Sequence, residues 1–479
     1  MDTPFEPQSR GTASAGETAP TIAQHLARFM ATLTRDRIPG RVTALARHLI
    51  LDAIGVAFAS GRFDFAHRTL AAMRGLSEGG EAAVIGFPDR LPFRDAAIVN
   101  GVLIHGLDFD DTHLGAVLHP TTSLVPVILA LGAKQKISGA DALTAYIGGV
   151  EAVARLGAVA RGGFHQVGFH PTGLIGAFAC ALTAGKLMGL NEAQLATAQG
   201  ITLSMASGTL EFLEDGAWNK RLHPGWAAMS GMTAAALAQQ GFVGARNVYE
   251  GRFGLYASHL QARFERDDLT LATADLGERW ELMNVAVKPF PACHFTHAFA
   301  DAAIALRDTA RLDPSAVREI RALVPAEVVT TVCEPAASKR RPANAYDAQF
   351  SIPYVVASAL RHGRFGLADL TDQAIADPGT LALAERVTYE IDPQSGFPRY
   401  FSGELVATTH DGRVLRHREA QNRGCSDRPL SDADILAKFH ENCRGTVAEA
   451  DSDRHAERIL SLDKAADMRR FADALGARR

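Results

Sequence analysis

Cysteine is scarce in this 479-residue chain, which has five cysteines and no CxxC pair. Without such pairs the sequence offers no cysteine-based zinc site, and an odd number of scattered thiols does not suit a disulfide framework. Free thiols are typical of proteins that stay in a reducing compartment. We therefore expect a cytoplasmic protein that contains neither structural disulfides nor a cysteine-bound metal.

A basic excess and long apolar runs are also missing. The formal net charge is −4, so no positive field is available for nucleic acid. The most apolar segments, 123–133 and 173–185, are shorter than the roughly 18 apolar residues that a membrane span needs. Residues 1–20 are small and polar without an apolar core, which predicts a disordered tail and not a signal peptide. We expect no binding to nucleic acid or membranes.

The residues that are present indicate a mainly α protein of two domains. The chain is 47% hydrophobic and 21% charged, and its length exceeds what one hydrophobic core usually serves. Residues 21–284 are rich in Ala and Leu with helical periodicity, which predicts a large all-helical domain. Several of these helices are apolar nearly all round, as at a subunit interface, so we expect a homodimer.

The composition changes after residue 285. Segments 319–332, 386–391 and 404–419 carry β-branched runs, and the last has an Asp-Gly turn between two strand-like halves. This pattern predicts a smaller α+β domain over residues 285–429. Residues 430–475 have helical periodicity again, and we expect these C-terminal helices to pack back on the first domain.

One acidic stretch, NGVLIHGLDFDDTHLGAVLHPTT (100–122), stands out within the helical part. His105, Asp108, Asp111 and Thr112 recur there at spacings of three and four, which predicts one face of a helix end. Three carboxylates within four positions would be costly to bury without partners, so they need a cation, a proton or a ligand. The alternative is a solvated acidic helix end, but helix C-termini disfavour negative charge and the flanks are apolar.

A second pattern consists of histidines that precede helical segments. Three His-Pro dipeptides each come before an apolar segment, and they are His119-Pro120, His170-Pro171 and His223-Pro224. Proline is favoured at the first helical position, so each histidine is expected near a helix start, where backbone N–H groups favour an anion. Lys220 and Arg221, beside the third dipeptide, would add charge-assisted contacts. Together they predict a pocket for carboxylates, with His223 the weakest candidate of the three.

Four motifs in sequence order resemble the MmgE/PrpD family, namely NGVLIHGLDFDDTH, GFHPTG, NKRLHPGWAAMSG and VKPFPACHFTHAFADAA. The resemblance covers residues 22–460. The family includes 2-methylcitrate dehydratase, cis-aconitate decarboxylase and iminodisuccinate epimerase. The resemblance implies a large helical domain, a smaller α+β lid domain, a homodimer, a pocket between the domains, and chemistry on di- or tricarboxylic acids without a metal or organic cofactor.

Carried over residue by residue, the resemblance places six side chains in the pocket, namely Asp108, Thr112, His119, His170, Lys220 and Lys288. Two departures from the decarboxylase branch stand out. The spacing from Thr112 to His119 is one residue longer, and Cys293, followed by His294, stands where that branch has a histidine after FPA. The FPAC form is more similar to the epimerase-type members, and we include Cys293 and His294 among the predicted substrate-binding residues.

The reactions of this family change a bond next to a carboxylate and pass through a carbanion-like state. Such a step needs a base poised near neutral pH, for which histidine is suited, and cations that stabilise the developing enolate. We predict His170 as the general acid/base and His119 as the second candidate. Asp108 would orient a histidine or Lys220, while Lys220 and Lys288 would bind substrate carboxylates.

The resulting hypothesis is a cofactor-independent lyase of the 2-methylcitrate dehydratase type. Epimerisation of a substituted succinate and decarboxylation of cis-aconitate are the alternatives within the family. Two other classes stay open. A magnesium-dependent diphosphate enzyme would use an aspartate cluster, although DFDD lacks the two-turn acid spacing of such sites. A non-catalytic helical scaffold would not explain the clustered histidines and lysines.

Overall fold

The computed structural model describes residues 19–477, in which α-helices predominate. The predicted disordered tail, residues 1–20, lies outside the described residues except for its last two positions. The helices, α1 to α21, are Ile22–Thr32, Gly40–Ser60, Asp64–Leu76, Phe93–His105, Thr121–Lys134, Gly139–Ala158, Gly163–Gln166, Pro171–Leu187, Glu192–Thr202, Asn219–Gln239, Leu255–Leu260, His297–Asp308, Val329–Val332, Ala336–Arg340, Ala345–Gln349, Ile352–His362, Asp372–Ile375, Pro378–Ala384, Asp432–Cys443, Glu449–Leu460 and Met468–Asp473. The strands, β1 to β8, are Ala82–Ala83, Arg90–Leu91, Thr112–His113, Val285–Ala286, Val317–Val324, Val387–Ile391, Gly403–Thr409 and Val414–Glu419.

Helix α8 forms the centre of the larger hydrophobic core. Its residues from Pro171 to Gly185 are all buried, and it packs against α5, α6, α9 and α10. Helix α2 is also apolar, with a mean hydropathy of 1.6 over an 18-residue window, so by length and composition it could cross a membrane. However, 72% of that window is buried inside the protein, as expected of a core helix.

Helices α4 and α10 cross at two glycines, and this crossing positions the acidic stretch. A Cβ atom on Gly101 would lie 2.5 Å from the Cα atom of Gly225, so only glycine permits this approach of the two backbones. The crossing brings the C-terminal end of α4 close to the first turns of α10. Side chains from both helix ends can therefore reach one cavity.

A second hydrophobic cluster surrounds a four-stranded sheet with the order β6-β5-β7-β8. Strands β5 and β6 are parallel, whereas β5 with β7 and β7 with β8 are antiparallel. The predicted Asp-Gly turn joins β7 to β8, and Gly412 has a φ of 89° there, a value that glycine adopts without strain. The strand expected over 319–332 is too long, because β5 ends at Val324 and helical turns follow. Its second half packs as a short buried helix, α13.

The C-terminal helices α19 to α21 return to the first cluster. Ile435 and Phe439 of α19 and Met468 of α21 join the same core as α2 and α5. The mainly α fold class is thus confirmed by the described residues. The boundaries at 284/285 and 429/430, and the action of the second cluster as a lid, stay predictions.

Candidate active site

A cavity lies where the two hydrophobic clusters meet. Its walls include seven of the eight side chains that the sequence predicts for the site, namely Asp108, Thr112, His119, His170, Lys220, Cys293 and His294. The eighth, Lys288, does not line the cavity and is 0% exposed. The first five come from loops and helix ends of the helical part, and the last two come from the segment that precedes α12.

The acidic stretch does not continue α4, as the spacing of its residues suggested. The helix ends at His105, and Asp108 has a positive φ of 49°, which turns the chain sharply. The predicted helix face is therefore wrong, because the residues after His105 follow a loop. Asp108 and Asp111, which one helix face would have grouped, and the neighbouring Asp110 instead contact three different sets of partners.

Asp108 is the acid that is neutralised by cations. Its Oδ1 atom accepts hydrogen bonds from Lys220 Nζ at 2.8 Å and Lys288 Nζ at 2.7 Å. Burial alone would raise its pKa, but the two ammonium groups hold the pKa well below its usual range. The other oxygen, Oδ2, is buried without a hydrogen-bond partner. Asp108 is thus a fixed negative charge between two lysine side chains.

Asp110 is the acid that contacts a histidine. Its Oδ2 atom lies 2.7 Å from His105 Nδ1, and both side chains are fully buried. Burial opposes the charge on Asp110, but the adjacent rings of His105 and His119 lower its pKa. The Nε2 atom of His105 is buried and has no hydrogen-bond partner among the described residues.

Asp111 is the acid whose surroundings favour the protonated form. Its carboxyl group contacts the hydroxyl group of Thr121, which lies 2.6 Å from Tyr146 Oη. Burial, together with the nearby charges of Asp110 and Asp52, raises the pKa of Asp111 well above its ordinary value. The three buried acids therefore have three kinds of partner, namely lysines, a histidine and a hydroxyl group, and Asp111 belongs to the protein core.

Lys288 holds Asp108 through two hydrogen bonds. Besides its bond to Oδ1, its Nζ atom donates to the backbone oxygen of Asp108 at 2.8 Å. This position differs from the predicted contact with a substrate carboxylate, because Lys288 is fully buried and does not line the cavity. A third lysine, Lys438 of α19, donates to Phe109 O and Lys288 O at 2.8 and 2.9 Å. It also pairs with Asp52 of α2 at 2.7 Å.

His119 has a defined tautomer. Its Nδ1 atom lies 2.8 Å from the backbone oxygen of Asp111, which can only accept, so Nδ1 carries the proton and Nε2 is left with a lone pair. Burial holds the pKa of His119 well below its ordinary value, so the ring is neutral. Its Nε2 atom lies 3.8 Å from Asp108 Oδ1. The dipeptide His119-Pro120 precedes α5, close to the predicted helix start.

His170 is the N-cap of α8, as predicted, with Pro171 at the first helical position. Its Nδ1 atom lies 2.9 Å from Nδ1 of His223, and its pKa is held well below the ordinary value by burial and by His223. The prediction that His223-Pro224 opens a helix is wrong. Helix α10 begins at Asn219, four residues earlier, and contains Pro224 within its first turns.

The opposite wall comes from the second cluster and carries no charge. Burial raises the pKa of the Cys293 thiol to about 11 and holds the pKa of His294 well below its ordinary value, so both are neutral. His294 Nε2 lies 2.9 Å from the side-chain nitrogen of Asn422. The ring of Phe350 lies against Lys220, whose Nζ atom is 4.8 Å from the ring centroid. Phe295, Thr331 and Phe401 also belong to this opposite wall.

Comparison with known proteins identifies the family of this chain. The sequence matches the MmgE/PrpD N-terminal domain over residues 24–267 and the MmgE/PrpD C-terminal domain over residues 290–464. The chain belongs to the MmgE/PrpD family. The family predicted from the four motifs is thereby confirmed.

Several relatives in the MmgE/PrpD family are cis-aconitate decarboxylases. The protein from Mus musculus is 29% identical over 447 residues, which are 89% of this chain and 88% of the relative. The protein from Aspergillus terreus is 26% identical over 471 residues, 93% of this chain and 94% of the relative. A cis-aconitate decarboxylase-like protein from Aspergillus oryzae is 25% identical over 468 residues, 93% and 95% of the two chains. These relatives support a lyase of small carboxylic acids.

The donor atoms of this MmgE/PrpD site were also compared with those of a metal centre. Donor atoms of His105, His119 and His170 lie within 4.8 Å of one another, and so do those of Asp108, Asp110 and His119. Two ammonium groups already contact Asp108, however, and would repel a divalent cation bound there. The donor set therefore fits poorly with the magnesium-dependent alternative.

Sequence reasoning missed several residues of the MmgE/PrpD site. His165 lines the cavity, and burial and the charge of Lys220 lower its pKa to about 4. The signal was present in GGFHQVGFHPTG, where His165 precedes His170 by five positions. Gln349 donates to Leu107 O and Pro291 O and ties the two walls together. No local pattern marks Gln349, because its partners are distant in sequence.

Proposed function

We propose that this protein is a lyase that acts on a small di- or tricarboxylic acid by histidine-mediated proton transfer next to a carboxylate. The single observation that carries the proposal is the pairing of one buried carboxylate, Asp108, with two lysines beside neutral histidines. Such a group combines a fixed cationic contact with bases that are unprotonated near pH 7. Both are required to form and stabilise a carbanion next to a carboxylate.

Lys220 is the group that would bind a substrate carboxylate. It lines the cavity and is 5% exposed, and one of its three N–H donors is used by Asp108. The remaining donors can form charge-assisted hydrogen bonds with an anion. Asp108 and Phe350 hold the ammonium group in place before the substrate arrives, which reduces the ordering cost of binding.

The proton would be handled by His170 or His119. Both rings line the cavity, and burial keeps both neutral. The Nε2 atom of His119 has a lone pair, because its Nδ1 proton is donated to Asp111 O. For His170, the bond to His223 leaves Nε2 as the nitrogen that can face a substrate. Our first assignment of the acid/base role is to His170, with His119 next.

Decarboxylation of a cis-aconitate-type tricarboxylic acid is the reaction to test first, because the similar proteins carry that name at 25–29% identity. In this reaction the C–CO₂ bond breaks, CO₂ leaves, and the carbon takes a proton. The second candidate is dehydration of a methylcitrate-type acid or epimerisation of a substituted succinate. It is favoured by Cys293, which stands where the decarboxylase branch has a histidine.

One experiment separates these reactions. The protein would be incubated in deuterated water with cis-aconitate, 2-methylcitrate and a substituted succinate, and followed by proton NMR. Release of CO₂ with one deuteron in the product indicates decarboxylation, loss of water indicates dehydration, and deuterium incorporation with inversion at carbon indicates epimerisation. If none of the acids is consumed or exchanged, the proposal fails and the scaffold alternative gains support. Asp267→Asn, which alters an exposed carboxylate, provides the control.

We also propose that the protein is a homodimer. Phe242, Val243 and Phe253 are 57%, 87% and 74% exposed on the helical part. Exposed apolar residues of this size are unfavourable in water, and a second copy would cover them. An obligate interface of this kind buries more than roughly 2,000 Å². Sedimentation at micromolar concentration is expected to show a dimer, and a monomer would contradict the proposal. Residence in the cytoplasm stays a prediction.

A further inference from the structure

His170, which lines the cavity, contacts the ring of His223, which is more exposed to solvent. His170 is 1% exposed and lines the cavity, whereas His223 is only partly buried. Their Nδ1 atoms lie 2.9 Å apart, and the ring centroids are 5.2 Å apart. A nitrogen–nitrogen hydrogen bond between two neutral imidazoles requires one N–H donor and one lone-pair acceptor. The two tautomers are therefore complementary.

Two glycines make room for the outer ring. A Cβ atom on Gly173 would lie 2.9 Å from His223 Cβ, and one on Gly208 would lie 3.2 Å from His223 Nδ1. Gly208 also accepts a hydrogen bond from the backbone N–H of His170 at 3.0 Å. A side chain at either position would crowd His223 and require it to shift. The backbone is thus shaped so that His223 can reach His170.

We propose that His223 is a positioning residue that selects the tautomer of His170 and exchanges protons between that ring and solvent. This inference deepens the proposed function and rests on it in its kinetic part. When His223 donates its Nδ1 proton, His170 carries its proton on Nε2 and is poised as an acid. When His170 donates from Nδ1, its Nε2 has the lone pair and is poised as a base.

The proton balance follows from these two states. When a substrate C–H bond breaks, its electron pair stays on carbon and the proton bonds to Nε2 of His170. The Nδ1 proton of His170 then passes to Nδ1 of His223, and the Nε2 proton of His223 leaves to water. The reverse sequence delivers one solvent proton to carbon after CO₂ departs. Both rings regain their first tautomers when water enters the emptied cavity between turnovers.

The first test uses His223→Asn, which keeps a polar group but cannot pass a proton through a ring. We expect kcat to fall by about 10- to 10²-fold, up to the lower limit of the usual acid/base effect, with little change in KM. Added imidazole should restore part of kcat, because a free base can replace the missing ring. His259→Asn is the matched control, since His259 contacts Phe169 next to His170 but not His170 itself. The kcat of His259→Asn should match that of the wild-type protein and should not rise when imidazole is added.

An unchanged kcat in His223→Asn, or a loss that imidazole does not restore in a folded variant, would overturn the relay. The second test needs no turnover and therefore stands apart from the proposed function. In wild-type protein labelled with ¹⁵N in the histidine rings, NMR should show one protonated and one unprotonated Nδ1 for this pair. Averaged ring shifts of a freely exchanging imidazole at His170 would refute tautomer selection. If all acids fail as substrates but the shifts are complementary, only the proposed function fails.

Discussion

The two walls of the cavity differ in how their polar groups are held. On the helical wall, Asp108, Lys220 and His119 are each fixed by charged or backbone partners at 2.7–2.8 Å. On the opposite wall, Cys293 and His294 are neutral, and aromatic rings supply most of the remaining surface. The helical wall has the groups that move protons and bind anions. The opposite wall supplies shape and excludes water.

This difference shows why the acid cluster tolerates burial. Each acid on the helical wall has its own solution, whereas an unpaired carboxylate in the same place would cost several kcal/mol. The opposite wall has no comparable requirement, so its residues can vary in size without leaving a buried charge unpaired. We expect substitutions to affect catalysis and stability strongly on the first wall and mainly substrate choice on the second.

The largest expected effect comes from Asp108→Asn, which removes the charge that Lys220 and Lys288 share. Two buried ammonium groups would then face each other without an anion. Removing one partner of a buried pair typically lowers the free energy of unfolding by about 3–5 kcal/mol. Turnover should also be lost, because Lys220 is no longer positioned. Urea denaturation and a turnover assay measure both effects.

The control for this change is Asp267→Asn, in which an exposed carboxylate is altered. It should leave stability and turnover close to those of the wild-type protein. If Asp108→Asn retains its unfolding free energy within about 1 kcal/mol, the typical size of surface effects, the helical wall is not organised around this charge. The contrast between the two walls would then fail.

The sequence predicts some residues of the helical wall and not others. The motifs identified Asp108, His119, His170 and Lys220 because each lies in a short pattern with unusual chemistry. The pairing of His105 with Asp110 was not predicted, since it depends on the sharp turn after α4. Asp108 has a positive φ, and although aspartate adopts such values more often than most residues, the residue type does not show which aspartate of the stretch will do so.

Contacts between distant segments were the other omission. Lys438 lies on α19, a helix near the C-terminal end of the described residues, and it donates to the backbone oxygens of Phe109 and Lys288. Its partner, Asp52, lies within the apolar helix α2, where a single acid carries no positional signal. Helical periodicity predicted that α19 packs on the first cluster but could not predict which residue would reach the site.

The next largest effect should come from His170→Asn. Asparagine is favoured at helix N-caps, so stability should hold, but the titratable ring is removed. We expect turnover to fall by about 10²-fold or more, the usual contribution of a positioned acid/base. The exchange of substrate protons with deuterated water reports the same step directly. If that exchange continues unchanged, His119 becomes the first candidate for the base.

Lys220→Met tests the anion contact on the same wall. Loss of a hydrogen bond to a charged group should weaken substrate binding by about 1.5–3 kcal/mol, or roughly 10- to 150-fold. Asp108 keeps Lys288 as its partner, so the fold should remain intact by circular dichroism. Lys136→Met, at an exposed lysine, is the control. Equal Michaelis constants for the two variants would remove Lys220 from the binding site.

Acidification should reveal the neutral histidines of the cavity. Burial lowers the pKa of His165 to about 4, whereas an unfolded histidine has a pKa of about 6.5. Between these values the unfolded chain binds the proton and the folded chain does not, so stability falls as pH falls. The contribution of this ring is present above pH 6.5 and decreases by at most about 1.4 kcal/mol per pH unit below it. His165→Gln should therefore show a shallower decline in unfolding free energy from pH 6.5 to 5, and parallel curves would contradict the assignment.

The smallest expected effect is on the opposite wall, where Cys293→Ala removes a neutral thiol. Its pKa of about 11 leaves it protonated near pH 7, so it supplies neither a charge nor a nucleophile there. The change should alter the ratio of kcat/KM between cis-aconitate and 2-methylcitrate by less than about tenfold, since a contact of this size is worth 1.4 kcal/mol or less. Deuterium exchange at the substrate carbon should continue at nearly the wild-type rate, because His170 and His119 lie on the other wall. Cys180→Ala, at a thiol buried in α8 away from the cavity, should change stability without changing this ratio. If deuterium exchange in Cys293→Ala falls by more than about 10²-fold, the thiol takes part in the proton transfer, because that loss is expected of an acid/base group. Proton transfer would then not be confined to the helical wall.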